Sequence, residues 1–96
     1  MIYPRLVKGE SMLPTLRPGQ VVWISQSRHF KVGDVVVAYV NRIEVIKRVA
    51  EIKDGKVFLV GDNPHQSSDS RQYGWVVDVH IMGKVVWPRV SKPALQ

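Results

Sequence analysis

Short apolar runs cut by turn residues make up most of this chain, and no segment keeps a helical period for more than two turns. RPGQ at residues 17 to 20 precedes VVWIS, and KVGD at 31 to 34 precedes VVVAYV. Asn41 and Arg42 end that run, and RIEVIKRVAEI follows with alternating character. KDGK at 53 to 56 carries the Asp-Gly pair that supplies the positive φ angles of a tight hairpin. VFLV, WVV and VHIMGKVVW complete the series. Strands and turns at this spacing predict a mainly β fold: a small coiled antiparallel sheet or open barrel. ISQSRHF, residues 24 to 30, is the one stretch that could form a short helical turn. The chain is expected to be a single domain over residues 1–96, with a tail from Pro88 onward that frays.

The amino-acid totals remove several classes of function. The chain has no cysteine, so disulfide and thiol chemistry are excluded. Fourteen basic and eight acidic residues give a net charge of +6, but the basic residues are scattered, with no run of four and no nucleic-acid motif. No nucleic-acid partner is therefore expected. The longest apolar run, VVVAYV, is far short of the roughly 20 residues of a spanning helix, and MIYPRLVKG lacks the apolar core of a signal peptide. His29, His65 and His80 fall in or beside expected loops without metal-site spacing, so neither a metal nor any other cofactor is implied.

Three features carry candidate chemistry. In E44-V45-I46-K47-R48-V49, strand alternation puts Val45, Lys47 and Val49 on one face, with Ile46 and Arg48 on the other. If the valine face packs inward, Lys47 loses water, and desolvation lowers its pKa toward that of a usable base. Taken alone, Lys47 reads as an edge lysine whose stem covers apolar surface, and Ser11, in KGESMLPTL, reads as a turn serine. The third feature is GDNPHQSSDSR, residues 61 to 71, which is long and polar for a hairpin. Asp69 and Arg71 lie two apart, on one side in extended geometry, so an ion pair between them would pin the loop. Asx-type turns at Asp62 and Asn63 would serve a purely solvated loop as well.

The order of these motifs resembles the type I signal peptidase family. The resemblance comprises G-x-S-M-x-P-T-L at 9 to 16, G-D at 33 to 34, K-R at 47 to 48, G-D-N-x-x-x-S-x-D-S-R at 61 to 71 and G-K at 83 to 84. It implies a serine endopeptidase with a Ser–Lys dyad: Ser11 as nucleophile, Lys47 as general base, Ser67 orienting the lysine, and Asp69 with Arg71 as a supporting ion pair. The Ser11 backbone N–H would bind the oxyanion, and Met12 would line the substrate pocket. Gly9 occupies the position where some members carry a further hydroxyl donor, and it would let the substrate backbone approach. A protein or peptide substrate would bind as an extended strand, flanked by residues 5 to 9 and the strand near Lys47, with small residues preferred just before the cut.

Only twelve residues separate Arg48 from Gly61, so the family's cap-like second domain is expected to be missing. GDNP, the run ending at Tyr73 and Gly74, and the VVW ending resemble most the soluble branch that matures nickel-type superoxide dismutase. That resemblance implies removal of an N-terminal propeptide in the cytoplasm. Two other classes stand beside it. One is signal peptide cleavage at a membrane, either through a trimmed anchor or with Trp23, Trp75 and Trp87 as interfacial contacts rather than core and rim packing. The other is a self-cleaving regulator of the repressor type.

Overall fold

The computed structural model describes residues 1–65 and 68–92. Among the described residues, seven strands form one antiparallel sheet: β1 (Ile2–Leu6), β2 (Val21–Ser25), β3 (Val35–Val40), β4 (Ile43–Lys53), β5 (Lys56–Val60), β6 (Val76–Val77) and β7 (Ile81–Trp87). They lie in the order β1-β2-β7-β3-β4-β5-β6, so the last strand slots between the second and third, and the sheet stays open. A short helix, α1 (Ser70–Tyr73), and a 3-10 turn at Asp78–His80 flank β6. The coiled antiparallel sheet expected from the turn spacing is thus present.

The unbroken apolar run of β3 reflects burial on both faces. Val35 and Val37 enter one cluster with Val7, Met12, Leu16, Val22, Ile24 and Val85. Val36 and Ala38 enter the other with Val49, Val57, Leu59, Val76 and Ile81. All four β3 residues are completely buried, and each valine contributes about 1.5–3 kcal/mol by leaving water. Pairing of Val36 with Lys47 and of Ala38 with Val45 fixes the faces of β4. Val45 and Val49 join the second cluster, whereas Ile46 packs on the first. The alternation expected for this strand holds.

Two hairpins close on two-residue turns. Asp54 and Gly55 have φ of 51° and 75°, as expected for the β4–β5 turn, and Asn41 and Arg42, at 50° and 70°, do the same between β3 and β4. Because β4 runs into β5 through this tight turn, no second domain is inserted there. Other expectations need correction. Residues 24 to 30 form no helical turn: β2 continues through Ser25, and the Ser25 and Ser27 hydroxyls accept from the Ser27 and His29 backbone N–H groups. β1 was not legible as a strand because it contains Pro4, a residue tolerated on sheet edges, and β1 is an edge. Of the tail expected to fray from Pro88, residues 93–96 lie outside the described residues, and residues 88–92 are hydrogen-bonded to the body of the domain. Ser91 Oγ donates to Asp34 Oδ1 at 2.9 Å, Lys92 N donates to Gly33 O at 3.1 Å, and Val90 O accepts from Arg48.

Gly33 shows why KVGD can open β3. Its φ is +98°, and a Cβ there would sit 1.8 Å from the Lys92 carbonyl oxygen. Gly33→Ala should therefore push away the 88–92 segment and cost about 1–3 kcal/mol, visible as a thermal midpoint lowered by several degrees. An unchanged midpoint would mean that this close approach does not matter.

Candidate active site

Residues 7–20 run from β1 to β2 over the edge of the first cluster. Leu16 N donates to Met12 O at 2.9 Å, closing one helical turn. That turn places Met12 and Leu16, four apart, on one side, where both are buried in the core. Ser11 precedes it, half-buried, with its carbonyl oxygen accepting from Asn63 N at 2.8 Å. The Asn63 side chain donates to Glu10 O at 3.0 Å, so the G-D-N segment holds the backbone carbonyls on both sides of the Ser11 Cα. Gly9 sits at φ +72° with no atom within 4 Å of where a Cβ would be. A side chain there would meet open space but a strained backbone.

Ser11 and Lys47 line the same groove of about 880 Å³, bounded on one side by residues 5–9 with Ser11 and Met12 and on the other by residues 43–47 of β4. Met12 forms part of its wall. A smaller cavity of about 270 Å³ continues past Ser11 and Lys47 toward Asn41, Ser68 and Tyr73. Lys47 is only 5% exposed. Burial lowers its pKa below the ordinary lysine value; Asp69 acts in the opposite direction, and Arg71 adds a smaller depression.

The Asp69–Arg71 pair is present, but not in extended geometry. Asp69 caps α1, accepting from Arg71 N at 3.0 Å, while the guanidinium folds back onto its carboxylate at 3.0 and 2.5 Å. The same buried carboxylate takes Gly61 N at 2.8 Å, which fastens both ends of the polar loop. Ser67 lies outside the described residues. His29, His65 and His80 are exposed, as expected. Trp23 faces Trp87 across β2 and β7, and Trp75 meets Phe58 edge-on at 5.2 Å; all three tryptophans keep 40% exposure or more.

Sequence reasoning missed the residues that hold the Ser11 turn. Arg48 donates to Asp62 through Nε at 3.0 Å and through NH2 at 2.6 Å, and to Gly33 O at 2.8 Å. Asp62 also accepts from the Thr15 hydroxyl, within the Ser11 turn. These contacts, not Asx turns alone, account for G-D-N. The available signal was an arginine beside Lys47 and aimed at the opposite face, inside a buried strand, where it must find a carboxylate.

A family model described as Peptidase S24-like matches residues 3–86. No curated protein matches the chain.

Side chains of Arg48 and Asp62 are 8% and 10% exposed, against 40% and 35% for the other bridge across this region, Arg5–Glu44. Asp62→Ala, which leaves a buried guanidinium without its carboxylate, should cost about 3–5 kcal/mol in urea unfolding. Glu44→Ala should change stability little. Equal losses would show that burial does not separate the two pairs.

Proposed function

The chain belongs to the Peptidase S24-like family, and on that footing we propose that it is a serine endopeptidase working through a Ser11–Lys47 dyad. The observation that carries this reading is a lysine 5% exposed, its pKa lowered by burial, lining one groove with the serine. Uncharged Lys47 accepts the Ser11 proton as Oγ attacks the scissile carbonyl. The Ser11 backbone N–H stabilises the oxyanion. The ammonium of Lys47 then protonates the leaving amine, and in the second half-reaction Lys47 activates the water that releases the acyl group. By the signal peptidase resemblance, Ser67 orients the lysine. The groove lies between the outer edge of β1 and residues 43–47 of β4, which pair with β3 but precede the stretch paired with β5. An extended peptide added between these two edges presents its carbonyl to Ser11.

The finer reading is removal of an N-terminal extension from a protein substrate in the cytoplasm, the propeptide of nickel superoxide dismutase being the candidate. It rests on the sequence runs around Gly61–Gly74. A second reading, self-cleavage by a repressor-type regulator, is favoured by the S24-like match. It uses the same dyad on a segment of the same molecule.

Mass spectrometry separates these outcomes. Wild-type protein is expected to cut the propeptide in trans, whereas Ser11→Ala and Lys47→Ala lose about 10³-fold or more. Lys47→Arg should be equally inactive, since a guanidinium keeps its proton. Near-normal turnover by either lysine variant would defeat the dyad. Cleavage of the chain itself, at a rate independent of concentration, would favour the second reading.

Only the neutral amine is a base, and its fraction grows with pH. The rate should therefore rise with pH, with a midpoint below the 10.5 of an ordinary lysine. A profile flat across that range would contradict a lysine base.

A further inference from the structure

Asn63 engages its neighbours through its backbone and through both ends of its side chain. Its backbone N–H donates to Ser11 O at 2.8 Å. Its Oδ1 accepts from His65 N at 3.3 Å, which turns the amide oxygen toward the polar loop and leaves Nδ2 for the Ser11 turn. Nδ2 donates to Glu10 O at 3.0 Å. The same carbonyl accepts from Leu13 N at 3.2 Å, so Glu10 O is held by two donors from different stretches of chain. Pro64 disfavours the α region for the residue before it, which limits the backbone freedom of Asn63.

These contacts act on a group they do not touch. The Glu10–Ser11 peptide bond is trans, so its N–H points opposite to its C=O. Anchoring Glu10 O therefore sets the direction of the Ser11 N–H. Among the described residues that N–H donates to no backbone acceptor, and Ser11 lines the groove. Packing gives little help on the N-terminal side, where Gly9 has no atom within 4 Å of a Cβ position.

We propose that Asn63 is a positioning residue for catalysis: its side chain locks the Glu10–Ser11 peptide plane, so that the Ser11 N–H is aimed at the oxyanion before the charge develops. The inference rests on the Ser11–Lys47 reading. A donor fixed in advance stabilises that charge without having to reorganise. With Leu13 N as the one remaining anchor, the plane can tilt, and small misplacements of a catalytic group are costly in rate. Asparagine is suited to the task because it offers a donor to Glu10 O and an acceptor to His65 N. Aspartate has the same shape but sets an oxygen against Glu10 O.

The test uses cinnamoylimidazole, which acylates a reactive serine without requiring a peptide sequence. Asn63→Ala is expected to slow acylation of Ser11 about tenfold or more, and Asn63→Asp to slow it further. The pH midpoint of acylation should stay at its wild-type value in Asn63→Ala, since Lys47 is not the group disturbed. Infrared spectra of the acyl-enzyme supply the direct readout. An ester carbonyl held by an aimed N–H vibrates at lower frequency, and in both variants its band should rise toward that of the unfolded acyl-enzyme. Asn63→Ser replaces a variant that does not fold, and its shorter donor should give an intermediate loss. Acylation within twofold of wild type, or slower acylation with an unmoved carbonyl band or a shifted midpoint in Asn63→Ala, overturns this inference and leaves the dyad standing. A wild-type protein that is not acylated, or Ser11→Ala acylated at the wild-type rate, overturns both.

Discussion

Two adjacent basic side chains on β4, sent to opposite faces of one sheet, set the terms for the rest of this molecule. Lys47 and Arg48 are both buried, at 5% and 6% exposure. A guanidinium cannot shed its proton, so Arg48 must be paired wherever it goes. It is paired by Asp62 and by the Gly33 and Val90 carbonyl oxygens, groups from three separate stretches of chain. Lysine can escape the cost of burial by losing its charge. One residue therefore ties the loops together, and the other is left with a pKa lowered by burial.

The open sheet follows the same logic. Closing the barrel would pair β1 with its neighbour and remove the exposed backbone edge. Instead β1, at one end of the strand order, is brought across to β4 and meets it through Arg5 and Glu44 rather than through a hydrogen-bonded ladder. The N-terminal half of β4 runs ahead of its pairing with β5, which begins at Arg48. Two edges so placed invite an added strand, and the bridging side chains set how far apart those edges stand.

Local chemistry is what made parts of this legible from sequence. Alternation around Lys47, the Asp-Gly turn and the apolar run of β3 are rules of period and φ that act over a few residues, and each survived folding. The pairing of Arg48 with Asp62 spans fourteen positions, and that of Ser91 with Asp34 spans fifty-seven. Such partners are chosen by topology, which no local window contains. Pro4 hid β1 because strand propensity counts it as a breaker, whereas an edge tolerates it. Asp69 and Arg71 were read at strand spacing and met instead across a helix cap, since an aspartate before a short turn gains more from its backbone N–H groups than from extension.

That cap matters to the lysine. Asp69 is almost fully buried, and its negative charge acts to restore the proton that burial removes from Lys47. Left to itself, a carboxylate in so dry a place would hold the amine charged and inert. Arg71 folds two donors onto that carboxylate while Gly61 N and Arg71 N supply more, so much of its charge is spent within its own loop. Arg71 also acts directly on Lys47 in the same direction as desolvation. The ion pair thus has an electrostatic role beyond pinning the loop: it answers a charge the fold needs at the helix cap, and so leaves burial as the dominant influence on the amine.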